Sequence, residues 1–252
     1  MTKKSEKSLE GRVALVTGAA RRIGAAIASS LHAAGARVAI HYRGSKEEAD
    51  SLCAGFNSLR KDSAITVQAD LIAEDGPDHL IASVLDWSGR LDVLVNNASS
   101  FYPTPLGKIK DAEWIDLVGS NMRAPLFLAQ AAAPHLHAAG GNIVNIVDIH
   151  ARRPLRDHHV YGAAKAGLVM LTRSLAKELA PEVRVNAVAP GAIAWPEDGM
   201  TESVKKSIIE QIPLGRTGEP ADIANAVLFL VRDATFVTGQ IIPIDGGRSI
   251  GW

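Results

Sequence analysis

The stretch Arg12-Val-Ala-Leu-Val-Thr-Gly18-Ala-Ala-Arg21-Arg22-Ile23-Gly24 decides the fold. A short apolar, β-rich run ends in glycine, and an Ala-rich stretch of helical character then runs to Gly35. That order reads as strand, phosphate loop and helix. Gly18 lets the chain turn tightly, Gly24 lets helix and sheet approach closely, and the free amides of a helix N-terminus suit a pyrophosphate. Arg21 and Arg22 add positive charge there. The spacing departs from the common G-x-G-x-x-G fingerprint, because Arg22 stands where a middle glycine would allow backbone contact.

Outward from this unit, apolar β-branched runs recur at 13–16, 36–41, 64–69, 91–96, 142–147, 183–188 and 240–244, predicting seven strands. Most are separated by segments rich in Ala, Leu, Glu and Lys, too long for hairpins and suited to crossover helices. The sheet is therefore expected to be parallel and covered on both faces, a doubly wound α/β fold of the Rossmann type. Pro125 and Pro134 predict that residues 111–139 form two helical pieces or one kinked helix. In such sheets ligands sit beyond the carboxyl ends of the strands. Gly18, Asp70, Asn97, Asp148 and Pro190-Gly191 all fall at those ends, so scattered motifs become one expected site.

Composition bounds the class. A chain of 252 residues with 47% apolar and 21% charged residues fits one large globular domain, expected over 9–252 after a flexible tail at 1–8. Lys+Arg and Asp+Glu balance at 27 each, so nothing in the overall charge draws the chain to nucleic acid or an anionic membrane. No run reaches the roughly 18 apolar residues of a membrane span. Cys53 is the only cysteine, which excludes an intrachain disulfide and a cysteine-based metal cluster. A cytoplasmic location is expected.

Chemistry enters with Tyr161-Gly-Ala-Ala-Lys165, preceded by Asp148 thirteen residues before the tyrosine. Positions i and i+4 share a helix face. A phenol titrates near pH ~10 in isolation, and a neighbouring ammonium favours its anion, so Lys165 is expected to bring Tyr161 toward a working acid/base range. The adjacent His158 and His159 diverge on a helix, and no metal is expected. Arg152, Arg153 and Arg156 read as a solvated or interfacial basic face, and Trp195 as core or a pocket lid. The second strand ends Ile40-His41-Tyr42-Arg43-Gly44-Ser45, with no acid to accept a ribose 2'-hydroxyl. Arg43 and Ser45, helped by His41, predict a 2'-phosphate and hence NADP(H).

Thr17-Gly18, Asn96-Asn97-Ala98, Asn121, Tyr161-x3-Lys165, Pro190-Gly191 and Asp245-Gly246-Gly247, in that order, resemble the short-chain dehydrogenase/reductases over nearly the whole chain. Two departures stand out: Asp148 replaces the usual serine, and Ser99 replaces the usual glycine. With the loop through Arg22 and the run Asn97-Ala-Ser-Ser-Phe101-Tyr-Pro-Thr-Pro-Leu106, they are similar to the pteridine reductases. The resemblance implies catalytic roles for Asp148, Tyr161, Lys165 and Asn121, the last holding a water that links the lysine to bulk. It implies coenzyme contacts through Gly18, Arg21, Arg22, Ile23, Gly24, His41, Tyr42, Arg43, Ser45, Asp70, Leu71, Asn97, Ala98, Ser99, Tyr161, Lys165, Pro190, Gly191 and Ile193. It implies a pterin or folate substrate held by Arg22, Ser99, Phe101, Asp148, Tyr161 and Trp195, with Phe101 stacked on the ring opposite the nicotinamide. Lys165 would also bind the nicotinamide ribose. A homotetramer is implied as well, and the tail ending in Trp252 is expected to reach a partner's pocket. The competing expectation is a carbonyl reductase acting on a 3-oxoacyl thioester, sugar or steroid. A dinucleotide sensor without catalysis ranks last, because the tyrosine and lysine are intact.

Overall fold

The computed structural model describes residues 8–195 and 201–250. Seven strands form one sheet in the order β3-β2-β1-β4-β5-β6-β7, every neighbouring pair parallel. They are β1 Val13–Val16, β2 Arg37–Tyr42, β3 Ala64–Gln68, β4 Val93–Asn96, β5 Asn142–Ile146, β6 Arg184–Pro190 and β7 Ile241–Ile244. All seven expected runs are strands, with ends shifted by at most two residues.

The strands are apolar on both sides because both sides are covered. Along β1, Ala14 and Val16 point into one core and Val13 and Leu15 into the other, the alternation a strand imposes. The first core is closed by α1 (Arg22–Ala33), α2 (Lys46–Leu59) and α8 (Pro220–Arg232), through Ile27, Leu31, Phe56, Ile223 and Val227. The second is closed by α3 (Gly76–Ser88), α5 (Ala124–Ala139) and α6 (His159–Glu178), through Leu80, Val84, Leu128, Leu136 and Ala176. Two shorter helices are α4 (Asp111–Val118), between β4 and α5 in the chain, and α7 (Glu202–Glu210), between β6 and α8. The chain joins the core from Leu9, which is buried and donates its amide to the Ala34 carbonyl at 2.8 Å. The expected tail falls almost wholly on residues 1–7, outside the described residues, as do Gly251 and Trp252.

The prolines in 111–139 do not break the helix where expected. Pro125 occupies the first turn of α5, where its missing N–H costs nothing, and Pro134 is accommodated within that helix. The irregularity lies upstream, in a π-helical turn at Gly119–Arg123 that joins α4 to α5 without an interruption. Asn121 sits inside that turn. Single π turns recur at functional sites because the extra residue re-aims a side chain.

Candidate active site

The strand order reverses between β1 and β4, and a crevice opens at their carboxyl ends. It holds a cavity of about 510 Å³ lined by Gly18, Arg21, Arg22, His41, Tyr42, Arg43, Ser45, Asp70, Leu71, Asn97, Ala98 and Ser99 among others. Twelve of the sequence-predicted coenzyme positions thus meet in one place. The floor is built by close approach. Gly18 adopts φ +61°, and a Cβ on Gly24 would lie 2.2 Å from the Gly18 carbonyl oxygen, so no side chain fits there. Asn97 locks the two strand ends together, its Nδ2 donating to the carbonyls of Thr17 and Gly18 at 2.9 and 3.1 Å. The Thr17 hydroxyl accepts from the amides of Asn97 and Ala98.

The first turn of α1 contains no acid and no side chain caps it, so its amides and positive dipole end are offered to the cavity. Arg22 has φ +51°, the left-handed conformation for which glycine is the usual residue. Holding a side chain there costs about 1–3 kcal/mol, and such strain gathers at functional sites. These features fit the pyrophosphate of a nicotinamide dinucleotide. At the far end, Arg43 reaches Asp116 of α4 at 3.6 Å, and Asp116 also accepts from the Tyr102 hydroxyl at 3.0 Å.

His41 requires a correction. Its ring is buried, its Nδ1 accepts from the Gly18 amide at 3.0 Å, and its Nε2 lies 3.1 Å from the Ala69 carbonyl. Burial pushes it down to about 4, against smaller upward pulls from the Ala69 carbonyl and Asp70. A neutral ring with both nitrogens engaged shapes the Gly18 turn and does not serve as a cation for phosphate. The linkage has a definite sign. Because the folded pKa lies below the ordinary 6.5, the unfolded chain takes up the extra proton, and stability is lost as pH falls from about 6.5 to about 4. The ceiling is about 3 kcal/mol. Thermal melts at pH 7 and 4.5 should show a smaller acid loss in His41→Asn, whose amide oxygen can still accept from Gly18.

Beyond the cavity's inner edge lies the proton chemistry. The Asp148 carboxylate opens the 3-10 turn Ile149–Ala151, one oxygen accepting from the His150 amide and the other from the Tyr161 hydroxyl, both at 2.7 Å. The helix that carries Tyr161 and Lys165 is tied to the sheet by a buried ladder. Asn96 donates to Asn145 at 2.8 Å, Asn145 to Thr172 at 2.9 Å, and Thr172 to the Leu168 carbonyl at 2.8 Å. Each such bond contributes about 1 kcal/mol, and loss of one partner would leave a buried polar group unmet. Lys165 is buried and donates to the Ile146 carbonyl at 2.8 Å, and burial lowers it to about 8 while Asp148 pulls it upward.

This geometry overturns the expected tuning of the tyrosine. The Lys165 ammonium stands 5.7 Å from the centre of the Tyr161 ring and spends a hydrogen bond elsewhere. Burial first, then the charge of Asp148 and its hydrogen bond, push the phenol well above 10, with only Ser99 pulling the other way. Without coenzyme, Tyr161 is a firmly protonated donor. The Asn121 side chain is held just as firmly. Its Nδ2 donates to the carbonyls of Ser100 and Leu117 at 2.9 Å, and its Oδ1 accepts from the Ser99 hydroxyl at 2.6 Å. The side chain thus fixes the Ser99-Ser100 loop and is not turned to Lys165.

Phe101 is 56% exposed, stacked on His158 at 4.6 Å and edge-on to Tyr161 at 4.8 Å. Sequence reasoning missed His158, and its only signal was position, three residues before Tyr161. Arg156 is solvated beside Asp157, but Arg153 donates to the Arg248 carbonyl at 3.1 Å, so the arginines do not form one solvated face. Pro190 ends β6 and Gly191 and Ile193 follow it, outside the cavity's lining, with Ile193 bridged to Gly218. Trp195 is partly buried and is the last described residue before the break at 196–200. Among the described residues, no helix is long and apolar enough to cross a membrane.

Comparison with known proteins gives the same outline. A family model described as enoyl-(acyl carrier protein) reductase matches residues 18–249. Pteridine reductase 1 of Leishmania tarentolae is 41% identical, with 94% of this chain and 96% of that protein covered. A 3-oxoacyl-(acyl-carrier-protein) reductase FabG of Staphylococcus aureus is 39% identical over 93% of this chain and 96% of the relative. The corresponding reductase of a Synechocystis strain is also 39% identical, over 95% and 98%. Fold, crevice and relatives together define an NAD(P)-dependent reductase. The chain belongs to the short-chain dehydrogenase/reductase family.

Proposed function

We propose that the protein is an NADPH-dependent pteridine reductase that converts dihydropterins, those of the dihydrobiopterin and dihydrofolate kind, to the tetrahydro form. The observation that carries this reading is the Asp148 carboxylate hydrogen-bonded to Tyr161 where the family usually has serine. A carbonyl oxygen needs donors around it, and an extra carboxylate beside the tyrosine would repel the developing oxyanion. A pterin presents amino and ring N–H groups, for which an acceptor is useful. Bound coenzyme would supply the hydride, held through Gly18, the α1 amides, Asn97 and Lys165. The protein's own work is alignment and proton delivery. Phe101, backed by His158, offers an aromatic face for a flat heterocycle. Arg22 offers a fork of donors at the coenzyme phosphates and the pterin carbonyl. Asp148 receives the ring's N–H edge, and Tyr161 holds the proton destined for the ring nitrogen.

A second reading stays alive because the FabG relatives are nearly as similar as the pteridine reductase: reduction of a 3-oxoacyl thioester. Following NADPH oxidation with dihydrobiopterin, with an acetoacetyl thioester and with no substrate decides between them. A preference for the thioester overturns the pterin reading.

NADPH is proposed over NADH because no acid stands in Arg43-Gly44-Ser45 at the end of β2, and Arg43 and Ser45 face the cavity. Arg43→Ala should lower the NADPH:NADH ratio of kcat/KM by about tenfold or more, since hydrogen bonds to charged groups contribute about 1.5–3 kcal/mol. An unchanged ratio would refute this assignment. A homotetramer belongs to the same proposal, supported by the exposed Trp114, Ile115 and Phe127 along α4 and α5, and light scattering measures it.

A further inference from the structure

Arg248 takes no part in the chemistry described so far, yet its placement is tightly specified. The Asp245 carboxylate accepts from the amides of Gly247 at 2.9 Å and Ser249 at 2.7 Å, while the Asp245 carbonyl accepts from the Arg248 amide at 3.1 Å. The turn is docked on its neighbours: Gly246 accepts from the Leu214 amide at 3.1 Å, and the Arg248 carbonyl accepts from Arg153 at 3.1 Å. Arg153 lies just beyond the 3-10 turn that Asp148 caps, so this contact ties the C-terminal turn to the proton-handling site.

The guanidinium is partly buried and lies within electrostatic reach of the Asp148 carboxylate. Among the described residues it forms no ion pair within 4 Å. Its one hydrogen bond among those residues is long, 3.4 Å to the Gln211 oxygen just past α7. A cation held in a fixed place, with part of its water removed and most donors unspent, is costly until an anion arrives. The chemistry of a dihydropterin says where such an anion could come from. The carbon reduced in the C=N bond is C6, which carries the side chain, and its nitrogen partner must lie beside the proton donor Tyr161. Whatever hangs from C6 therefore starts next to Asp148 and Tyr161, the side on which Arg248 stands.

We propose that Arg248 is a specificity-determining residue of the substrate site that selects pterins carrying a carboxylate close to C6 over those with a neutral substituent. The proposal rests on the pterin reading. Its test compares 6-carboxypterin with 6-hydroxymethylpterin, two ligands of similar size that differ in charge, binding to the NADP+-loaded full-length protein. The carboxylate should bind about tenfold more tightly, the preference shrinking as salt is raised. Arg248→Gln should abolish the preference with NADP+ affinity unchanged, and Arg248→Lys, which keeps the charge but loses the fork, should restore part of it. Equal binding of the two pterins to the native protein, or a preference that survives in Arg248→Gln, overturns the role of Arg248 while leaving pterin reduction standing. If the NADP+-loaded protein binds neither pterin, the pterin reading itself fails and this inference falls with it. Should Arg248→Gln not fold, Arg248→Lys decides: an undiminished preference in that variant overturns the proposal.

Discussion

Tyr161→Phe is expected to lower kcat for dihydropterin reduction by about 10²-fold or more while NADPH affinity stays within about twofold, because general acid catalysis typically contributes 10²–10⁴-fold. The substitution removes one hydroxyl and leaves the ring that packs against Phe101. Coenzyme contacts proposed for Gly18, Asn97 and Lys165 do not pass through that hydroxyl, so dinucleotide binding should survive. The phenol is held protonated by burial and by Asp148, so the native enzyme should show no loss of the acid near neutral pH. Coenzyme titration by fluorescence and steady-state turnover on the same preparation separate the two effects. Unimpaired turnover would remove Tyr161 from the chemistry.

Asp148→Ser carries the second large effect. Exchanging the carboxylate for the family's common hydroxyl removes the anionic acceptor, and kcat/KM for a dihydropterin should fall about 10- to 150-fold, the range that corresponds to about 1.5–3 kcal/mol for a hydrogen bond to a charged group. Coenzyme affinity should not follow. A second signature is independent of substrate. Asp148 raises the Tyr161 pKa through its charge and its hydrogen bond, so the serine variant should bring the phenol down. Its activity should therefore be lost at lower pH on the alkaline side than that of the native enzyme. If the variant reduces dihydropterins as well as the native protein, Asp148 does not recognise the pterin and reduction of a carbonyl becomes the better reading.

Much of the architecture was legible along the chain because it depends on local patterns that survive any neighbour. Seven apolar runs spaced by helical segments require a parallel sheet covered on both faces, and the glycines after β1 admit one kind of turn. The same holds for the motif residues that end the strands: chain order puts Gly18, Asp70, Asn97 and Asp148 at one edge of the sheet before any distance is known. The chemistry of each side chain was open to the sequence only as a type, a phenol, an amine or a carboxylate.

Tertiary structure decided how those types act on one another, because pKa values and hydrogen-bond partners depend on distance and burial, which no spacing encodes. Lys165, four residues from Tyr161, looked like its tuner. In the fold Lys165 is bonded to Ile146, and burial together with Asp148, thirteen residues away, holds the proton on the phenol instead. His41 read as a helper at the 2'-phosphate, and the fold buries it, neutral, beneath the Gly18 turn. Asn121 read as a water holder, and a π-helical turn aims its amide at the Ser99-Ser100 loop. Arg248 and His158 could not be assigned along the chain, since each gains meaning from residues about a hundred or about sixty positions away: Asp148 and Arg153 for the arginine, Phe101 for the histidine. The sequence alone determined the sheet, the crevice and the strand-end motifs that meet there; only the packed chain determined which other side chains join them and which one holds the proton.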